Sequence, residues 1–172
     1  MRRLLLLRHA KAVPTDLTQP DFDRPLSPKG RKGAAWVAQV LVDARESPEL
    51  VLCSAALRTR ETLARLMGVL AEDATIALER QLYMAPASKL LARVRKIDDS
   101  VRSALVIGHN PGLERLASML AGRGDETLLA AMRTKFPTAG LAVLEIPARS
   151  WSKLEPGDAK LVDFVTPGGV SE

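Results

Sequence analysis

Short apolar runs alternate along the chain with longer segments in which apolar residues recur every three or four positions. The runs that read as strands are Arg3–Arg8, Leu50–Cys53, Thr75–Leu78, Ala104–Gly108, Leu141–Ile146 and Lys160–Val165. Leu4-Leu5-Leu6-Leu7 and Leu105-Val106-Ile107 are apolar at consecutive positions, which is the pattern of a buried strand. Between the first four runs lie helical patterns at Ser27–Ala44, Ala56–Leu70, Ala87–Ile97 and Pro111–Leu120. Strands alternating with helices predict βαβ units, and hence an α/β fold: a three-layer α/β/α sandwich with a mostly parallel central sheet. The last two strands have no helical pattern between them, so one edge of the sheet is expected to be antiparallel.

Helix starts are marked by local chemistry. Ser27 precedes Pro28, an N-cap followed by a proline at the first helical position. Asn110-Pro111 repeats that arrangement, and Pro86-Ala87-Ser88 offers a weaker version of it. Val13–Pro25 and Gly122–Pro137 read as loops, and the first is positioned to wall whatever lies at the end of the first strand. With no repeat, low-complexity tract or linker, residues 1–172 are expected to form one domain.

Composition narrows the function classes. Hydrophobic residues at 47% and charged residues at 26% describe an ordinary globular chain. Aromatics at 3% leave the core to Leu, Val and Ala, and supply too few rings for a single-stranded nucleic-acid platform. The formal charge of +5 favours anionic ligands and also serves solubility. No basic block joins a nucleic-acid-binding motif, so no nucleic-acid partner is expected. Cys53 is the single cysteine, which excludes an internal disulfide and suits a reducing cytoplasm; ending an apolar run, it reads as a buried small residue. Met1-Arg2-Arg3 ahead of Leu4–Leu7 resembles the start of a signal peptide, but Arg8 ends the apolar stretch too early for a signal core or a membrane span. A cytoplasmic protein without membrane attachment is expected.

The chain has only two histidines, and each directly follows a predicted strand: Arg8-His9 after the first, Gly108-His109 after the fourth. In open α/β sheets, ligands collect outside the carboxyl ends of the strands. Arg8 adds a planar donor fork suited to phosphate, and the small Ala10 allows close approach. After the second strand, Ser54-Ala55-Ala56-Leu57-Arg58-Thr59 leads into a helix whose free N–H groups favour an anion. Each feature alone has a structural reading: a packed histidine, a capping serine, a solvated arginine. Arg60 and Glu61 are read as surface residues, whereas Arg58 lies nearest the strand end. Three strand ends carrying Arg-His, Ser-x-x-x-Arg and His are hard to explain as packing alone.

Arg8-His9-Ala10, Ser54-x-x-x-Arg58-Thr59 and Gly108-His109-Asn110-Pro111-Gly112 together resemble the histidine phosphatase superfamily. With Asp23-Arg24-Pro25-Leu26-Ser27-x-x-Gly30 and the short chain, the closest likeness is to its SixA-type phosphohistidine phosphatases. The likeness spans roughly residues 2 to 120, with Ala10 where the family has glycine. It implies His9 as a nucleophile that becomes phosphorylated, with Arg8, Arg58 and His109 holding the phosphoryl oxygens. Nearby guanidinium groups would keep the attacking imidazole neutral and offset charge on the transferred group. No metal or other cofactor is implied, and two histidines without a carboxylate cluster make a poor metal site.

The proton donor is the open point. Larger members of the family supply a carboxylate after the third strand, roughly where Glu79 stands, or directly after the second histidine, where this chain has Asn110. Glu79 is therefore the candidate general acid, with a surface pairing to Arg80 as the alternative. Arg24 either rims the pocket or pairs with Asp21 or Asp23, and is left outside the catalytic set. Phosphohistidine needs less acid assistance than an ester, which favours a phosphorylated protein partner as substrate. A small phosphorylated substrate such as a sugar phosphate, and a phospho-ligand binding module without turnover, are the competing readings.

Overall fold

Leu4, Leu5, Leu6 and Leu7 are all fully buried, because the strand that carries them is covered on both faces. The structure, a computed structural model, describes residues 1–147 and 150–168. Its strands are β1 (Arg2–Arg8), β2 (Leu50–Ser54), β3 (Thr75–Glu79), β4 (Ser103–Gly108), β5 (Ala121–Gly124), β6 (Leu141–Ile146) and β7 (Ala159–Val165). Its helices are α1 (Pro28–Asp43), α2 (Leu57–Leu66), α3 (Ala87–Val94), α4 (Gly112–Leu120) and α5 (Glu126–Thr134). Among the described residues the strands form one seven-stranded sheet in the order β3-β2-β4-β1-β6-β7-β5.

Alternation along each strand distributes the apolar side chains between two cores. Leu4, Leu6, Leu52 and Val106 pack with Leu90 and Val94 of α3, Leu113 and Leu116 of α4, and Leu129 and Met132 of α5. Leu5, Leu7, Val51, Cys53, Leu105 and Ile107 pack with Val37 and Leu41 of α1 and with Leu63 and Leu66 of α2. These are the three layers that the pattern predicts. Cys53 is buried, and burial pushes its thiol up to about 12, so it stays protonated. Among the described residues no helix is long and apolar enough to cross a membrane.

The order of the strands creates the site. β4 inserts between β2 and β1 and runs parallel to both, with Arg8 paired to Gly108. The residues following β1 and β4 therefore emerge side by side, although a hundred positions separate them. The predicted cap at Ser27 forms: its Oγ accepts from Gly30 N at 3.0 Å and donates to the Lys11 carbonyl at 3.0 Å. That bond presses α1 onto the segment after β1, and a Cβ at Gly30 would lie 1.9 Å from the Lys11 oxygen.

Four expectations are corrected. Gly122–Pro137 is not a loop, since it contains α5 and most of β5. Asp125 caps α5 by accepting from Thr127 N and Leu128 N, and Leu129 and Met132 are buried one turn apart. β5 has no strand-like side chains of its own and exists through its parallel pairing with β7. The antiparallel member is not at an edge: β6 lies between β1 and β7 and is antiparallel to both, while the edge strand β5 runs parallel to its neighbour. Finally, Asn110 does not cap α4. Its amide donates instead to Glu114 at 3.0 Å and to the Phe136 carbonyl at 2.8 Å. The helical patterns also end earlier than expected, α2 at Leu66 and α3 at Val94.

Candidate active site

His9 and His109 face each other with ring centroids 5.2 Å apart and planes inclined at 51°. Both are buried, at 7% and 3% exposure. His9 is fixed at its backbone by a bond from its N–H to the Gly108 carbonyl at 3.1 Å, and Ala10 N donates to Thr62 Oγ1 at 3.0 Å. Its ring Nδ1 lies 2.7 Å from the carbonyl of Ala10. A carbonyl can only accept, so Nδ1 carries the hydrogen and Nε2 of the neutral ring holds the lone pair. Arg58 Nε, which can only donate, approaches that lone pair at 3.3 Å.

Electrostatics keep the ring in this form. Burial, with the charges of Arg58, Arg8 and Arg24, outweighs the Ala10 hydrogen bond and pushes His9 down to about 3. His109 is likewise pushed down to about 3 by burial and by His9, Arg58 and Arg8, against the attraction of Asp21. At neutral pH both rings are therefore uncharged. Ser54 Oγ, at the end of β2, lies 2.7 Å from His109 Nε2 and accepts a long bond from Ala56 N at 3.4 Å. Its own hydrogen can go to Nε2, the arrangement in which His109 carries its hydrogen on Nδ1. That Nδ1 is buried and has no hydrogen-bond partner among the described residues.

Arg8 and Arg58 complete the charge. Arg8 donates to the Phe136 carbonyl at 3.1 Å, the same oxygen that holds Asn110, and its buried Nε has no hydrogen-bond partner among the described residues. Arg58, in the first turn of α2, is 2% exposed. Beyond His9 it donates to the Asp21 carbonyl at 2.7 Å and to Asp21 Oδ2 at 3.1 Å. Asp21 also accepts from Arg24 at 2.8 Å and from the Tyr83 hydroxyl. The Tyr83 bond, reinforced by Arg58 and Arg24, overcomes burial and pulls the Asp21 carboxyl down to about 2. Tyr83 in turn sets its ring edge against His109, with centroids 5.4 Å apart.

Arg8, His9, Asp21, Arg24, Arg58 and His109 line a cavity of about 260 Å³, together with Lys11, Met84, Asn110 and Thr138. Four cations, Arg8, Lys11, Arg24 and Arg58, face one carboxylate, so the cavity suits an anion. Among the described residues no group of three or more His, Cys, Asp or Glu side chains is gathered closely enough to hold a metal ion.

Of the residues singled out from the sequence, Arg8, His9, Arg58 and His109 come together around this cavity, and Glu79 does not. Glu79 ends β3 beside Ser54, and its backbone carbonyl accepts from Ala55 N at 3.2 Å. Its carboxylate is turned to α3, where Arg93 holds it at 2.7 Å, and Gln81 donates to it at 2.7 Å. Burial would raise its pKa, but these bonds prevail and hold it below the usual carboxylate range. Arg80, its expected neighbour in charge, lies over the Phe22 ring instead. Arg24 does both things considered for it, pairing with Asp21 and lining the cavity.

The sequence reading missed the roles of Asp21, Tyr83 and Ser54. Tyr83 is the single tyrosine of the chain, and that rarity was an available signal. Asp21 reads from sequence only as a partner for Arg24, because nothing local connects it to the end of β2.

A profile of the histidine phosphatase superfamily (branch 1) matches residues 4–82. An uncharacterized protein of Mycobacterium tuberculosis is 37% identical, over 94% of this chain and 99% of its own length. A crystal structure from Agrobacterium tumefaciens, assigned as the phosphohistidine phosphatase SixA, superposes with a TM-score of 0.79 at 33% identity, covering 96% of this chain and 98% of that one. The chain belongs to the histidine phosphatase superfamily. Within it the similarity is to the SixA type: a second structure so assigned, from Nakamurella multipartitia, gives a TM-score of 0.83 at 28% identity over 96% of this chain and 95% of that one. The protein is thus a phosphatase.

Proposed function

We propose that this phosphatase hydrolyses phosphohistidine in a protein partner, using His9 Nε2 as its nucleophile and no metal ion, in the cytoplasm and as one domain over residues 1–172. The observation that carries the reading is the state of His9. A ring donating Nδ1–H to Ala10 at 2.7 Å and kept neutral has its lone pair on Nε2, beside Arg58 in a cation-lined cavity. Attack at phosphorus forms the bond from Nε2 to phosphorus as the leaving group departs, and water then displaces the phosphoryl group from His9. Arg8, Arg58 and the unpartnered His109 Nδ1–H are the donors for the phosphoryl oxygens, and their preorganisation lowers the barrier.

The protein substrate is supported by what the cavity presents as a proton donor. An alkoxide leaving group requires a proton, whereas Glu79 is held by Arg93 outside the cavity and Asp21 is kept ionised. Met84, at the cavity and 48% exposed, offers an apolar contact to a docked partner.

Incubation with a phosphohistidine-bearing protein in the presence of a chelator tests the proposal. Hydrolysis is expected to persist, and a phosphoenzyme stable in base and labile in acid should form on wild type and not on His9→Ala. Turnover by His9→Ala, or activity lost to chelator and restored by a divalent ion, would overturn it.

A further inference from the structure

The nucleophile itself displays what a departing imidazole needs. In the second half of the reaction His9 is the leaving group: the bond between phosphorus and Nε2 breaks and its electron pair returns to Nε2. No proton has to be delivered there, because the other nitrogen already carries one, held by the Ala10 carbonyl at 2.7 Å. The ring leaves as neutral imidazole. A substrate phosphohistidine obeys the same balance in the first half. Its P–N bond breaks, the pair returns to the nitrogen, and the ring departs neutral provided its distal nitrogen is protonated and that N–H has an acceptor.

Asp21 is the one carboxylate among the described residues that line the cavity. Its acceptor positions are taken: Oδ1 by Arg24, and Oδ2 by Arg58 and the Tyr83 hydroxyl. Arg58 holds Asp21 through both of its terminal nitrogens, and a phosphoryl group competes for the same nitrogens. When its guanidinium turns to the phosphoryl oxygens, it releases Oδ2 towards a cavity to which the Asp21 side chain is 41% exposed. Arrival of the phosphoryl group therefore opens an acceptor beside it. Tyr83 and Arg24 hold the carboxylate in position while this happens.

We infer that the Asp21 carboxylate receives the distal ring N–H of the leaving imidazole and thereby selects phosphohistidine over phosphate esters. The inference rests on the reading of His9 as nucleophile and phosphohistidine as substrate, and adds the residue that chooses between substrate classes. An ionised carboxylate rewards a leaving group that brings its own N–H and gives nothing to one that must take up a proton. It plays for the substrate ring the part that the Ala10 carbonyl plays for His9.

The test compares wild type, Asp21→Asn and Asp21→Ala on a phosphohistidine peptide and on para-nitrophenyl phosphate, whose leaving group departs without a proton. Asp21→Ala is expected to lose about tenfold to a hundredfold more kcat/KM on phosphohistidine than on the aryl ester, the scale of one charge-assisted hydrogen bond. Asp21→Asn, which keeps a weaker acceptor, should fall between. Retained ester turnover in the same samples shows that each variant is folded. Equal losses on both substrates would reduce Asp21 to a positioning role for Arg58 and overturn the inference while leaving the proposed function intact. A wild-type protein that cleaves the ester and not phosphohistidine would overturn the substrate reading as well.

Discussion

Ser54 Oγ and His109 Nε2 are 2.7 Å apart, and both residues are buried. With the hydroxyl as donor, this bond commits His109 to presenting Nδ1–H to the cavity. Ser54→Ala removes that commitment and leaves Nε2 without a partner. The expected result is a drop in kcat/KM of about tenfold, partly restored in Ser54→Thr. Nitrogen chemical shifts should report His109 protonated at Nδ1 in wild type and a mixture of tautomers in Ser54→Ala. An unchanged tautomer would show that Ser54 merely fills space.

Acid should unfold the protein through its histidines. His9 and His109 titrate at about 3 in the folded state, against 6.5 for an ordinary imidazole. Between these values the unfolded chain binds protons that the folded one refuses, so stability falls as pH is lowered. Asp21 acts in the same direction at lower pH: its stabilisation is present above its ordinary 3.8 and is lost as pH falls towards about 2. The thermal midpoint is expected to drop between pH 6.5 and 4, with uptake on unfolding of about two protons, one per histidine. Replacing both histidines with Gln should flatten the dependence. A midpoint indifferent to pH across that range would contradict two neutral buried rings.

Arg58 touches both the nucleophile and Asp21, and its guanidinium fork matches a phosphoryl group. Arg58→Ala is expected to reduce kcat by about 10²–10³-fold. Arg58→Lys should recover little, since a point charge on a flexible stem cannot reach Nε2 of His9 and the phosphoryl oxygens together. Binding of tungstate, measured by calorimetry, should weaken by a comparable factor. A fully active Arg58→Lys protein would remove the fork from the mechanism.

Glu79→Gln separates the acid expected from the sequence from the ion pair found in the structure. The pair with Arg93 is largely shielded but lies near the surface, so its loss should cost on the order of 1 kcal/mol or less. Phosphohistidine turnover should remain within about twofold of wild type. A selective collapse of ester hydrolysis in this variant would restore Glu79 to the chemistry.

Much of this arrangement was legible because it is local. Leu4–Leu7 and Leu105–Ile107 announce strands covered on both faces, and Ser27-Pro28 announces the start of α1. Arg8, His9, Arg58 and His109 were found because each sits within a few residues of a strand end. What was lost depends on distant partners. β5 is a glycine-rich strand that only β7 makes into one, and α5 hides among charged residues with a narrow apolar stripe. Asn110 looked like a cap, and only the fold brings the Phe136 carbonyl to it. Glu79 sits at a suitable place on its strand, but nothing near it in sequence signals that Arg93, one helix later, claims it.

The insertion of β4 between β2 and β1 has a consequence for how the protein is made. Until residue 109 leaves the ribosome, the nascent chain holds one half of an imidazole pair and a gap where the middle of the sheet belongs. Closing that gap is a late, long-range pairing, so activity is expected to arrive all at once. A truncation that stops short of it would produce no weak ancestor of the enzyme, only an unfinished sheet.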